Sequence, residues 1–373
     1  EEMKILITTD NFLPRWDGIA RFLNEILPRL KGNEITVVAP DFGKCIPKGF
    51  TLISIPLGKR IVGDYRAAKY DFKTVKAAVK EADIIFNQTL GPIGIAAILS
   101  AKSCGKPIVS FTHSLEWELV PRALHGNFWQ RIAFPLVKLG TRFLLNRCTA
   151  LIVPSEQTAD RLTWQGILTT KRVVHLGVDI NKFKPGSKAS ARKKLKLSQN
   201  NYIIGYHGRI AHEKNLPTLL RSYLQLDIEN KNLLIVGDGV DELKKKLKRK
   251  GVIITGTQND VVPYLQAMDL YVLPSMTETT SLSVLEAMAC GIPVISSKVG
   301  FIRDYITEGK NGFFFDKRKS YDLLKKIRRV RKLNHKEITS VKAAARATVE
   351  QGFNWTKAAK GIVRVLREFS QNQ

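Results

Sequence analysis

The chain's 373 residues carry 60 Lys+Arg against 33 Asp+Glu, a net charge of +27, with 44% hydrophobic and 25% charged residues. That composition excludes a fibrous, collagen-like or largely disordered chain, and the length suits two domains. The cation excess points to anionic partners: phosphorylated substrates, nucleic acid or an anionic membrane.

The first run, Met3–Asp10, reads as a short buried strand, too short for the apolar core of a secretion signal and lacking its small-residue cleavage site. Strand-like runs at Ile5–Thr8, Ile35–Ala39, Ile84–Asn87, Pro107–Phe111 and Leu151–Pro154 alternate with helix-like Ile19–Leu30, Phe72–Ala82, Pro92–Ser103 and Trp129–Asn146. This alternation predicts βαβ units and a parallel sheet covered on both faces. No stretch reaches the roughly 20 apolar residues that span a bilayer. Cys45, Cys104, Cys148 and Cys290 are scattered without a C-x-x-C, so neither a disulfide framework nor a zinc site is expected, and a reducing cytosol is the default.

The pattern restarts at Ile203–Tyr206. Leu233–Val236, Val252–Thr255, Leu270–Leu273 and Pro293–Ser296 follow as strands, with helical stretches at Pro217–Leu226, Glu242–Arg249, Val261–Met268 and Ser283–Ala289. The polar segment Asp179–Asn200, with Pro185-Gly186-Ser187-Lys188, separates the halves. The division is 1–182 and 183–354, followed by an amphipathic helix at Trp355–Phe369. Two doubly wound α/β domains are expected to face across a cleft, with ligands at the carboxyl ends of the strands.

Two segments stand at such ends. After Ile203–Tyr206, Gly208 permits close backbone approach, while Arg209 and Lys214 suit phosphate oxygens; the alternative is two solvated cations. After Leu270–Leu273, Glu278 lies in a loop and Glu286 on the next helix, on the same side as Ser283. Backbone N–H groups at Ser281, Leu282 and Ser283 form an anion site, and the carboxylates accept sugar hydroxyls. The alternative is a dipole-complementing Glu278 with an ordinary surface Glu286.

The stretch from Glu278 through Leu285-Glu286-Ala287-Met288-Ala289-Cys290-Gly291-Ile292-Pro293 resembles the E-x7-E signature of retaining, nucleotide-sugar-dependent glycosyltransferases of the GT-B fold, glycosyltransferase family 4. Gly208-Arg209 with Glu213-Lys214-Asn215, Val153-Pro154-Ser155, and His175-Leu176-Gly177-Val178-Asp179 are also similar to that family, and the likeness runs from Met3 to Trp355. The resemblance implies two Rossmann-like domains, acceptor-binding 1–182 and donor-binding 183–354, with the helix at 355–373 packing back on the first. It implies that Glu286 holds the nucleotide ribose, Glu278 the donor hexose, and Arg209 with Lys214 the diphosphate. Gly18 matches the second glycine of a Gly-Gly loop near the diphosphate, with Asp17 replacing the first. His113 matches an active-site histidine near the transferred sugar; read alone, it is a buried structural histidine. No Asp-x-Asp pair is present, so neither a metal nor another cofactor is expected.

Aromatic and basic residues interleave between His113 and Arg147. Trp117, Arg122, Phe128, Trp129, Arg131 and Lys138 suit an interfacial helix on an anionic membrane, and the alternative is a core helix with a basic face. The likeness around Glu278 and Asn87–Gly94 extends to the diacylglycerol glucosyltransferase and phosphatidylinositol mannosyltransferase branch. The expected reaction moves glucose or mannose to a membrane lipid, at the inner face of the cell membrane, with a soluble sugar, polysaccharide or small alcohol as the alternative acceptor. The net charge is +9 over residues 1–183 and +18 over 184–373, where Lys244–Lys250 and Lys325–Lys332 are dense clusters. A nucleic-acid-binding protein is the distant alternative, but no zinc finger, RNA-recognition motif or helix-turn-helix supports specific binding. Oligomeric state is not legible.

Overall fold

The computed structural model describes residues 2–15, 17–43, 49–62, 65–113, 127–278 and 280–371; the side chains of 60–62, 65 and 127–133 fall outside that description. The chain forms two compact units, Glu1–His175 with Trp355–Gln373, and Leu176–Asn354.

Strands of the first unit are β1 Lys4–Thr8, β2 Glu34–Pro40, β3 Thr51–Ile55, β4 Leu57–Val62, β5 Tyr65–Ala68, β6 Ile84–Asn87, β7 Ile108–Phe111, β8 Ala150–Val153 and β9 Lys171–Val173. Among the described residues seven of them form one sheet, ordered β3-β2-β1-β6-β7-β8-β9, while β4 and β5 pair apart as an antiparallel ribbon. Every pairing in the large sheet is parallel. Strands β6, β7 and β8 are buried at all positions, as a sheet covered on both faces requires. Two edge strands, β3 and β9, escaped the sequence reading; they are only partly buried and carry polar residues. The predicted helix Ile19–Leu30 is α-helical over Gly18–Ile26, then tightens to a 3-10 turn, Leu27–Arg29, at Pro28.

Buried Asp10 anchors the center of this unit. Its carboxylate accepts from Ile93 N (2.9 Å), Gly94 N (3.2 Å) and Thr89 Oγ1 (2.6 Å), closing the N-terminus of helix Pro92–Cys104. Burial raises its pKa against those hydrogen bonds. The terminal helix Trp355–Ser370 packs in the same unit, where Trp355 meets Phe22 at 6.0 Å.

The second unit holds β10 Tyr202–His207, β11 Lys231–Val236, β12 Val252–Ile254, β13 Leu270–Leu273, β14 Val294–Ser297 and β15 Phe313–Phe315, all parallel in the order β12-β11-β10-β13-β14-β15. The order reverses between β1 and β6 in one sheet and between β10 and β13 in the other. Such switch points splay the following loops apart and open a crevice at the strand ends. Leu176–Lys182 belongs to this second unit.

Candidate functional site

The loops after β10 and β13 bring most of the predicted donor residues together. Gly208, at φ +138°, turns the chain out of β10; a Cβ there would meet the Tyr206 hydroxyl at 2.9 Å. Gly237, at φ +146°, packs so closely that a Cβ would lie 2.0 Å from Gly208 O. Gly208 N donates to Val236 O at 3.0 Å and Ile210 N to Asp238 O at 2.8 Å, which locks the two loops together. Only glycine combines that dihedral with that approach.

Lys214 ends a 3-10 turn, His212–Lys214, ahead of helix Leu216–Leu224. Its Nζ donates to Glu278 Oε1 at 2.8 Å, and Ser275 Oγ donates to the same oxygen at 2.7 Å. The two charged side chains are 21% and 10% exposed, so the pair is largely desolvated. Arg209 pairs with Glu213 one turn on, but it is 72% exposed and solvent screens that contact. Asn215, left-handed at φ 52°, ties this turn to Pro274 O and Lys317 O.

Helix Leu282–Ala289 follows β13, and Ser281 at its N-cap makes no side-chain capping bond. Ser281 Oγ instead lies 3.0 Å from Ser283 Oγ. Glu286 is 2% exposed, and its Oε2 lies 2.6 Å from His207 Nε2. His207 was not singled out from the sequence; only its place beside Gly208-Arg209 signalled it. Within this unit the structure therefore gathers a lysine–glutamate pair, an exposed arginine, a helix N-terminus and a buried carboxylate around one switch point. That set suits an anionic leaving group beside a polyhydroxylated ligand.

In the first unit, Gly18 is the first residue of helix Gly18–Ile26. The Asp17 carboxylate caps that helix, accepting from Ile19 N and Ala20 N at 2.9 Å each. The Asp17 departure thus has a physical reason: the carboxylate takes the N–H groups that a glycine would leave open.

His113 follows β7. Its ring stacks on Phe111 at 4.4 Å and meets Phe22 edge-on at 4.8 Å. Nε2 lies 3.0 Å from Gln88 Oε1, and Gln88 Nε2 donates to Phe86 O at 3.2 Å. The amide is thereby oriented with its oxygen toward the ring, so His113 Nε2 carries the hydrogen and Nδ1 is left as an acceptor. Burial pushes the imidazole down to about 3, so the ring is neutral at physiological pH. Because the unfolded chain takes up this proton near 6.5, the neutral ring's contribution to stability is full above pH 6.5 and is lost as pH falls toward about 3. Urea titrations from about pH 7 to pH 4 are expected to show wild type losing stability relative to His113→Asn; parallel losses would show that the ring protonates freely.

Of the predicted membrane residues, Trp117 and Arg122 lie outside the described residues. Phe128, Trp129 and Arg131 fall in helix Asn127–Leu145, whose side chains are described from Phe134 onward. Lys138 is half-buried. Further along this helix Leu136, Leu139 and Phe143 are 64%, 64% and 50% exposed, at a spacing that puts them on one face. Arg147 lies 3.3 Å above the Phe143 ring. Gly166 abuts the Arg142 guanidinium, and Trp164 and Leu168, two residues to either side of it, are exposed.

Residues 187–348 match the family described as Glycosyl transferases group 1, and residues 16–182 the family described as Glycosyltransferase Family 4. A GDP-mannose-dependent alpha-mannosyltransferase of Corynebacterium glutamicum is 28% identical over 84% of this chain and 77% of its own length. An alpha-monoglucosyldiacylglycerol synthase of Streptococcus pneumoniae is 26% identical over 84% of this chain and 75% of its own. Among solved structures, HepE of Anabaena, crystallised with UDP and glucose, has a TM-score of 0.78 at 19% identity, covering 98% of this chain and 100% of that one.

Proposed function

Because the chain belongs to glycosyltransferase family 4, whose retaining enzymes transfer a hexose from a nucleotide sugar, we propose that it glycosylates a membrane lipid with glucose or mannose. In this reading Arg209, Lys214 and the N–H groups of Ser281, Leu282 and Ser283 face the donor diphosphate. Glu286 holds the ribose and Glu278 the hexose, with Gly208 giving the backbone room to approach. Gly18 and His113 keep the roles that the family likeness implies, with Nδ1 of His113 as a hydrogen-bond acceptor. Negative charge builds on the departing diphosphate, and fixed cations with a helix N-terminus stabilise it without reorganising. No divalent metal is assigned to this step.

The exposed stripe Leu136, Leu139 and Phe143, bordered by Lys138, Arg142 and Arg147, carries the lipid reading. An apolar face rimmed by cations matches the boundary between acyl chains and anionic headgroups. The likeness to a synthase named for diacylglycerol supports it. Among the described residues no helix is long and apolar enough to cross a membrane, so the proposed association is peripheral, at the inner face of the cell membrane.

The test supplies labelled UDP-glucose or GDP-mannose with anionic vesicles containing diacylglycerol or phosphatidylinositol, with and without EDTA. One donor is expected to label the lipid phase at a rate that EDTA leaves within about twofold, far inside the several kcal/mol a catalytic metal supplies. Label appearing only on an added soluble sugar would replace the lipid acceptor. Loss of transfer in EDTA would overturn the metal-independent step.

A further inference from the structure

The buried pair joining β10 to helix Leu282–Ala289 gives His207 a role, an inference that rests on Glu286 being the ribose contact. His207 is 7% exposed and Glu286 2%. Nε2 stands 2.6 Å from Oε2, and donation to a carboxylate requires the hydrogen on Nε2. Nδ1 is buried and has no hydrogen-bond partner among the described residues. Tyr271 holds the ring edge-on at 5.5 Å, and its hydroxyl donates to His207 O at 3.3 Å.

An orphaned buried nitrogen costs free energy that an apolar side chain at the same place would not. Packing alone therefore does not account for histidine at the end of β10. What the ring adds is a charge-assisted hydrogen bond to a desolvated carboxylate. The last torsion of a glutamate is broad and nearly two-fold, so each donor on the carboxylate narrows the planes it samples. His207, 2.6 Å from Oε2, is one such donor.

We infer that His207 is a positioning residue for the nucleotide: through Nε2–H it fixes the plane in which the Glu286 carboxylate meets the ribose hydroxyls. The chemistry it serves is recognition of a ribonucleoside diphosphate rather than the transfer step. Gln88 on His113 repeats the device in the first unit, where an oriented side chain sets a neighbour's donor and acceptor faces.

The experiment measures binding of UDP and GDP by calorimetry, each beside its 2′-deoxy and 3′-deoxy forms. The proteins are wild type, His207→Leu, His207→Gln and Glu286→Ala, and thermal melts confirm that each is folded. Wild type is expected to lose roughly 10- to 100-fold in affinity when a gripped hydroxyl is removed, the range for a hydrogen bond to a charged group. His207→Leu is expected to bind the ribo form about 10-fold more weakly and to discriminate little between ribo and deoxy forms. His207→Gln keeps an N–H and is expected to recover most of that discrimination, which a packing role would not produce. His207→Met replaces the leucine variant if that one does not melt cooperatively. Discrimination intact in the apolar variant but lost in Glu286→Ala overturns the role of His207 and leaves the ribose contact standing. Discrimination intact in Glu286→Ala, or no binding of either diphosphate to wild type, overturns the donor-site reading itself.

Discussion

Lys214→Ala is expected to lower turnover by roughly 10²- to 10³-fold, the range found when one preorganised donor to a developing anion is removed. Two effects add. The cation proposed to face the leaving diphosphate disappears, and the Glu278 carboxylate, 10% exposed and bonded to Lys214 at 2.8 Å in the wild type, keeps its negative charge in the same loop. Breaking a largely desolvated pair also destabilises the fold, by about 1–3 kcal/mol, so rates are read well below the lowered melting temperature. The variant Lys214→Ala/Glu278→Gln, read against Glu278→Gln alone to account for the proposed hexose contact, separates the two effects, since it restores local neutrality without the cation. It is expected to remain at least 100-fold slow, as a missing electrostatic contribution requires. Recovery to wild-type turnover would mean that Lys214 only neutralises Glu278, and its place in the leaving-group site would be lost. Initial rates of donor consumption decide the matter without knowledge of the acceptor.

Replacing Leu136, Leu139 and Phe143 together by serine is expected to weaken vesicle binding by about 100-fold. Each side chain is half or more exposed, and moving that much apolar surface out of water is worth about 1 kcal/mol per residue. Three such contributions approach two decades in partition. Stability is expected to change little, because exposed substitutions away from the core act weakly. Flotation with anionic vesicles measures the effect, and high salt sharpens it by screening the cation excess. Unchanged flotation in high salt would show that this stripe is not what enters the bilayer. Flotation lost in wild type on adding salt would leave charge alone as the attraction.

The inner strands β1, β6, β7, β8, β10, β13 and β14 were readable because strands covered on both faces are continuous apolar runs. Among the edge strands Val252–Ile254, an apolar run, was readable; three were not, Thr51–Ile55, Lys171–Val173 and Phe313–Phe315. The first two mix polar residues into half-buried positions, and all three draw their identity from one neighbor. Helix His335–Gly352 was also missed, although Asn334 and Glu337 form a full capping box at its start. That signal sits in the sequence as Asn-x-x-Glu. Asp17 was legible as a departure from a glycine loop, but its role as a helix cap appeared only with the hydrogen bonds to Ile19 and Ala20.

What the residues alone determined is local: the run lengths of strands, the periods of helices, and the placement of Gly208-Arg209, Lys214, Glu278 and Glu286 just past strand ends. These depend on neighbours within a turn or two, which any stretch of sequence displays. The pairing of Lys214 with Glu278, 64 residues on, and of His207 with Glu286, 79 residues on, was decided by tertiary structure. Both pairs exist because β10 lies beside β13, so that the loops after those strands share one switch point. Sheet order is set by how whole βαβ units bury their faces against each other, and no local pattern encodes it.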